Sequence, residues 1–269
     1  MTEQAKHEAW QVSGDAAEVY ERNFVTAIFG QWAPKMVDAG RVAAGDRVLD
    51  VGCGTGVLAR TAADRVAAES QVTGLDLNEG MLAVARRLRP KIDWRQGDAT
   101  KLPFTAATYD VVMSQFALMY FPDRTAALKE MLRVLRQGGR LVIAVWGPYE
   151  RAMGYVILTE IAQRRCGQAA ADVLTAPFVL GNRNKLLDLF KAAGIHQAVA
   201  ELRHGTVTFP TIEAFVETEV KGSPLETLLD EESYQAVMRE AQEKLQQFRA
   251  HGGAVVMPMD ALVVTAEKS

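Results

Sequence analysis

The feature that most restricts this chain is the stretch Val48-Leu49-Asp50-Val51-Gly52-Cys53-Gly54-Thr55-Gly56. A short β-branched run stops at three closely spaced glycines, and a helical pattern begins at Val57. Glycine tolerates positive φ and lets a ligand approach the backbone without a Cβ in the way. A strand, glycine turn and helix in that order make a cradle for a nucleotide-type group. The surrounding rhythm agrees. Predicted strands Arg47–Val51, Gln71–Leu77, Ile92–Gln96, Tyr109–Ser114 and Arg140–Trp146 alternate with predicted helices Val57–Ala68, Glu79–Leu88 and Asp123–Arg136, the last ended by Gly138-Gly139. Such alternation means βαβ units and a parallel sheet.

The expected fold class is therefore α/β: a doubly wound, mostly parallel seven-stranded Rossmann-like sheet with helical insertions forming a lid. Three segments are expected: an N-terminal helical cover (1–44), the core (45–147), and the last strands with lid insertions (148–269). In the cover, Tyr20, Phe24, Phe29 and Trp32 supply apolar bulk. After Trp146 the pattern predicts helices at Arg151–Arg165, Asn184–Ala193, Thr211–Val220 and Glu231–Ala250. Strands are predicted at His196–Phe209 and at the end of Ala254–Ala266.

Composition limits the class of function. Lys plus Arg number 30 against 33 Asp plus Glu, a net charge of −3, so the chain lacks the cationic excess of a nucleic-acid coat. Hydrophobic residues make up 49%, enough for an ordinary globular core. Two cysteines, Cys53 and Cys166, make no disulfide framework and no metal-ligand pair. Met1–Trp10 shows no apolar signal region, and no apolar run reaches membrane-spanning length. A cytoplasmic protein with no membrane span and no metal, monomer or homodimer, is expected.

Three details sort the possible cofactors. Val57 stands where a dinucleotide fingerprint needs Gly or Ala. Asp50, two residues before the first glycine, would repel a pyrophosphate but suits a ligand bearing a sulfonium and an ammonium. No Lys-Ser or Lys-Thr follows the turn, which excludes an ATP-type P-loop. Asp76, in Gly74-Leu75-Asp76-Leu77, is placed to accept both ribose hydroxyls. Asp98, in Gly97-Asp98-Ala99, can accept from an adenine amine, and Ser114-Gln115-Phe116 opens toward the crevice at the strand ends.

These motifs, with Leu102-Pro103-Phe104, Tyr109-Asp110-Val111-Val112 and Leu132-Arg133-Val134-Leu135-Arg136-Gln137-Gly138-Gly139, resemble the class I S-adenosylmethionine-dependent methyltransferases of the UbiE-like, type 11 group. The resemblance covers about 100 of 269 residues. It implies S-adenosyl-L-methionine as cofactor. Gly52, Cys53, Gly54, Thr55 and Gly56 would pass its methionine and ribose portions, Asp50 would orient the amino-acid end, and Tyr20 would reach the carboxylate. Asp76 would hold the ribose, Leu77 and Met81 would flank the adenine, and Gly97, Asp98 and Ala99 would read it. Ser114, Gln115 and Phe116 would lie near the methyl group. Core members of the group end soon after the fifth strand. Here the insertions around 148–194 and 210–252 are larger and are expected to build the acceptor chamber.

The implied reaction is in-line methyl transfer to an O, N or C nucleophile of a small, partly apolar metabolite. Met119, Tyr120, Trp146 and Tyr149 are expected to line its pocket. No catalytic residue is fixed; His204, His251 and Tyr120 are the candidates for a base. Plainer readings stand beside these. Cys53 suits the turn by its size, the methionines suit the core, and Glu231-Glu232 suits a solvated helix start. His7, His196, His204 and His251 suit the surface. A non-catalytic S-adenosylmethionine-binding regulator and a nucleic-acid methyltransferase are the alternative functions. The second is disfavoured by the charge and by Ser114-Gln115-Phe116-Ala117 in place of an Asn/Asp-Pro-Pro-aromatic segment.

Overall fold

The structure, a computed structural model, describes residues 14–269, with side chains from Ala17 onward. The readings made for Met1–Trp10, including His7, lie outside the described residues. The chain opens with helix α1 (Gly14–Val19), a π-helix (Tyr20–Phe29) and α2 (Ala33–Ala39). The alternating core follows as β1 (Val48–Val51), α3 (Val57–Ala63), β2 (Val72–Asp76), α4 (Glu79–Leu88), β3 (Asp93–Gln96), β4 (Tyr109–Gln115), α5 (Arg124–Val134) and β5 (Leu135–Trp146). Then come α6 (Met153–Cys166), α7 (Gln168–Thr175), α8 (Arg183–Ala192), β6 (Val199–Arg203), β7 (Thr206–Phe209), α9 (Ile212–Lys221), α10 (Glu231–Lys244), β8 (Val255–Pro258) and β9 (Ala261–Glu267).

Seven strands form one sheet in the order β3-β2-β1-β4-β5-β9-β6. The first five strands in chain order run parallel, with registers such as Asp50 opposite Gly74 and Met113. β9 runs antiparallel to β5, since Gly138 and Gly139 bond to Lys268 at one end and Gly147 bonds to Asp260 at the other. The order reverses between β1 and β4, so the strand ends there leave a crevice. All four residues of β1 are buried, Asp50 among them. Side-chain caps start the helices where short polar residues precede them: Asn78 accepts from the Met81 N–H, Asp123 from Ala126, Thr211 from Ala214 and Asp230 from Ser233.

The chain divides into two compact units. One comprises residues up to Val145, Arg183–Glu201 and Leu262–Ser269; the other comprises Trp146–Asn182 and Leu202–Ala261. The sheet unit packs Leu49, Leu58, Leu75, Leu82, Met113 and Leu128 at its centre. The second unit pairs β7 with β8 as an antiparallel ribbon and buries Leu158, Phe209, Phe215 and Val237. Its aromatic core is continuous: Tyr155 meets Phe178 and Phe215 edge-on at 5.6 and 5.3 Å, and Phe215 contacts Phe209 at 5.2 Å.

Three expectations are corrected. The helix expected over Val57–Ala68 stops at Ala63, and Glu69–Gln71 forms a short 3-10 turn before β2. Gly138-Gly139 does not end α5. The helix stops at Val134, and the Lys268 ammonium satisfies its terminal carbonyls at Leu132 and Leu135, both at 2.7 Å. The glycines instead lie inside β5, in an irregularity where Tyr109 pairs with Leu135 and Val111 with Arg140. The single strand expected over His196–Phe209 breaks at His204-Gly205, and its halves join different sheets.

Candidate functional site

β1 delivers the chain into the glycine turn. Gly52, Gly54 and Gly56 adopt φ of +71°, +54° and +87°. The amides of Gly52 and Cys53 both donate to the Leu75 carbonyl, at 2.8 and 3.0 Å, which pins the turn to β2. Below it lies Trp94: a Cβ on Gly56 would come within 2.2 Å of the indole and one on Gly74 within 2.3 Å. Gly54 differs. A Cβ there would meet nothing nearer than the Tyr20 ring at 3.9 Å, so the turn presents bare backbone beneath Tyr20.

Two carboxyls flank that backbone. Asp76, at the end of β2, accepts the Gly54 N–H on Oδ2 and the Asn78 N–H on Oδ1, both at 2.8 Å. Burial raises its pKa, against the amides of Asn78, Gly54 and Leu77. Asp50 is 1% exposed and accepts the Ala59 N–H on Oδ2 at 3.0 Å; Oδ1 has no hydrogen-bond partner among the described residues. Burial pushes it up to about 8, with the Ala59 N–H opposing and Asp76 adding to the rise. Burial likewise drives the Tyr20 phenol far up, reinforced by Tyr120, Asp76, Glu21 and Asp50. Cys53 is buried and its thiol rises for the same first reason, so it is a small turn residue and no thiolate.

β4 supplies the facing wall. Ser114 is fully buried, and its Oγ, the Thr55 Oγ1 and the Gln115 Oε1 have no partner among the described residues. Gln115 donates to the Phe29 carbonyl at 3.2 Å. Phe116 adopts φ of +54°, a strained conformation for a bulky residue. Its ring is held by Phe29 at 5.8 Å and by Trp32, edge-on, at 5.7 Å. At the far end, Leu77 is 37% exposed, Met81 packs with Ala17 and Val84, Ala99 is buried, and the exposed Asp98 accepts the Thr100 N–H. Gly97 joins this end through its N–H to the Asp76 carbonyl.

The expected cofactor residues thus converge on the C-terminal ends of β1 to β4, with Tyr20 above. Met119 and Tyr120 occupy a 3-10 turn just after β4 in the sheet unit. Trp146, Tyr149, His204 and His251 belong to the second unit. There His204 Nδ1 lies 3.1 Å from Asp260 Oδ1 with its side chain 73% exposed, and His251 is exposed in the turn before Gly252. Burial would raise Asp260, but Arg151, His204 and the Gly205 N–H hold it low. Sequence reading missed Glu21 and Arg60 beside the glycine turn, and the buried Glu219 bonded by Tyr155. None belongs to a local motif; only separations of 39 and 64 residues in the fold join these pairs.

The site tests the implied cofactor directly. A turn whose central glycine presents bare backbone beneath Tyr20, an acid braced by two main-chain amides at the end of β2, and buried oxygens on Asp50, Thr55, Ser114 and Gln115 without hydrogen-bond partners among the described residues together fit a polar nucleoside carrying an amino-acid tail. This fold and this site define a class I methyltransferase.

The comparisons carry the assignment further. Residues 49–143 match the model of a methyltransferase domain family, Methyltransf_11. The chain is 38% identical over 173 residues to a demethylmenaquinone methyltransferase of Renibacterium salmoninarum, covering 60% of this chain and 72% of that one. It is 40% identical over 118 residues to the ubiquinone/menaquinone biosynthesis C-methyltransferase UbiE of Idiomarina loihiensis, but spans only 47% of that protein's length. Among solved structures, phosphoethanolamine N-methyltransferase 2 of Haemonchus contortus, in complex with S-adenosylhomocysteine, shares the fold with a TM-score of 0.61 at 20% identity. The match covers all of this chain and 60% of that one. The chain belongs to the UbiE-like group of class I S-adenosylmethionine-dependent methyltransferases, and its cofactor is S-adenosylmethionine. Among the described residues no helix is long and apolar enough to cross a membrane.

Proposed function

We propose that this methyltransferase acts by in-line displacement on an O, N or C nucleophile of a small, partly apolar metabolite, with a quinol-like aromatic ring as the acceptor class to test first. The observation that carries the reading is the bare left-handed backbone at Gly54, braced by Asp76 and roofed by Tyr20. The quinone acceptors named for the relatives support the acceptor class.

The residue roles follow from this reading. Asp76 holds the ribose diol with the lone pairs its backbone bonds leave open. Leu77 and Met81 flank the adenine, and Asp98, with Gly97 and Ala99, receives its amine. Gly52 to Gly56 and Asp50 take the amino-acid end, and Ser114, Gln115 and Phe116 border the reacting methyl. When bound, the sulfonium cofactor supplies an electrophilic methyl on a good leaving group. The chain then has to align the nucleophile and keep water out. Phe29, Trp32 and Phe116 form an apolar wall suited to excluding water. Met119 and Tyr120, after β4, are the nearest side chains in sequence for contacting the acceptor. Tyr120 serves as proton acceptor only where the nucleophile keeps a proton at neutral pH.

The test is transfer of labelled methyl from S-adenosylmethionine to demethylmenaquinol and, in parallel, to a bacterial metabolite extract. A product heavier by one methylene is expected. A protein that binds S-adenosylhomocysteine yet labels no compound in either would overturn the enzymatic reading in favour of a binding protein.

A further inference from the structure

Glu21 and Arg60 form an ion pair at the rim of the glycine turn. Arg60 Nη2 donates to Glu21 Oε1 at 2.6 Å, and Arg60 Nε donates to the Gly56 carbonyl at 3.3 Å. Both side chains are 19% exposed. Glu21 follows Tyr20, whose ring roofs Gly54, and its charge acts on that phenol together with Asp50 and Asp76. The pair therefore borders the stretch of backbone along which the reading above runs the amino-acid tail.

What sets this pair apart is unused capacity. Glu21 Oε2 is buried with no hydrogen-bond partner among the described residues. Arg60 Nη1 likewise has no bond to a described residue. A second pair ties the same N-terminal segment to the sheet unit and serves as an internal contrast. Arg87 Nη2 bonds both oxygens of Glu18, at 2.8 and 2.7 Å, with both side chains half exposed. Glu18–Arg87 is a tie at the surface with its carboxylate saturated. A pair that only tied the segment down would have no use for a buried, unsatisfied carboxylate oxygen, because an orphaned acceptor is costly. A carboxylate and a guanidinium side by side, each with a free face, are complementary to a zwitterion.

We infer that the Glu21–Arg60 pair recognises the zwitterionic α-amino-acid end of the cofactor, Glu21 Oε2 accepting its ammonium and Arg60 Nη1 donating to its carboxylate. The inference rests on the cofactor reading above and adds two positioning residues that no motif contains. It also gives the ten-residue π-helix a purpose. That rare winding is frequent at functional sites, and here Tyr20 and Glu21 open it, beside the glycine turn.

Calorimetry separates this role from a structural one with two ligands. S-adenosylhomocysteine carries the amino-acid end; 5′-methylthioadenosine lacks it. Glu21→Gln, which can keep the bond from Arg60, and Arg60→Met, which keeps the apolar stem, should each raise the S-adenosylhomocysteine Kd by about tenfold or more. Neither should move the 5′-methylthioadenosine Kd by more than about twofold, and Glu18→Gln should not separate the two ligands. An unchanged S-adenosylhomocysteine Kd, or an equal weakening of both ligands, overturns the inference. If Arg60→Met fails to fold, Glu21→Gln alone decides. Wild-type protein that binds neither ligand refutes the cofactor reading instead, a distinct outcome.

Discussion

Two buried carboxyl groups of the sheet unit and one of the second unit keep different company. In the sheet unit, Asp50 and Asp76 are met by main-chain amides: Ala59 for one, Gly54 and Asn78 for the other. In the second unit, Glu219 lies 9% exposed on α9, beside the ring cluster of Tyr155, Phe178 and Phe215. Among the described residues its carboxyl accepts one hydrogen bond, from the Tyr155 hydroxyl at 2.7 Å. Burial pushes Glu219 up to about 7, with the Tyr155 bond opposing. Amide donors are placed by the path of the chain, so Asp76 is as fixed as the turn it braces. A donor on a side chain is only as fixed as its rotamer. Acids set by the backbone belong to a preformed site; Glu219 is an acid the packing of the second unit must hold in place.

The largest expected effect tests how rigid the turn is. Gly56→Ala would combine a left-handed alanine with a clash against Trp94, and should cost about 3 kcal/mol or more. A urea midpoint within error of wild type would show that the turn yields. Next, Asp76→Ala should weaken S-adenosylhomocysteine binding by roughly 1–3 kcal/mol, the cost of orphaned donors, as read by calorimetry. If affinity is unchanged, Asp76 braces the turn without touching ribose.

Glu219 gives an effect that depends on pH. Its pKa in the folded state, about 7, lies above its ordinary 4.5, so the folded protein holds the proton more tightly than the unfolded chain. The Glu219 contribution to wild-type stability should therefore fall as pH rises from 4.5 through about 7 and level off above. Glu219→Gln removes this slope, so its stability relative to wild type should climb by on the order of 3 kcal/mol across that window. Asp50→Asn should act with the same sign over 3.8 to about 8. Parallel wild-type and variant profiles would contradict the buried, single-donor description. Gly167 in the second unit isolates backbone strain from clash: φ is +86° and ψ −177°, a conformation almost confined to glycine, with nothing within 4 Å of an added Cβ. Gly167→Ala should cost roughly 1–3 kcal/mol from that strain alone, read as a shift of the urea midpoint.

Much of the sheet unit was legible because its signals are local. Glu79–Leu88 shows helical spacing behind an Asn cap and matches the structure end to end, and the glycine turn declares itself within nine residues. Where long-range contacts decide, the reading fails. Gly138-Gly139 looks like a helix stop, yet a lysine 130 residues later caps the helix and the glycines join a strand. The break at His204-Gly205 depends on β7 finding β8, some 50 residues on. The π-helix has no sequence period of its own, and the left-handed Phe116 packs its ring against Phe29 and Trp32, both more than 80 residues earlier in the chain.

The indole of Trp94 packs against Gly56 of the glycine turn and Gly74 of β2, and its Nε1 donates to the Arg89 carbonyl. Such contact makes it a fluorophore in touch with the loop's main chain. The sequence holds four tryptophans, so replacing Trp10, Trp32 and Trp146 by phenylalanine would leave one emitter against the glycine turn. Occupancy and release could then be followed in real time without any attached dye.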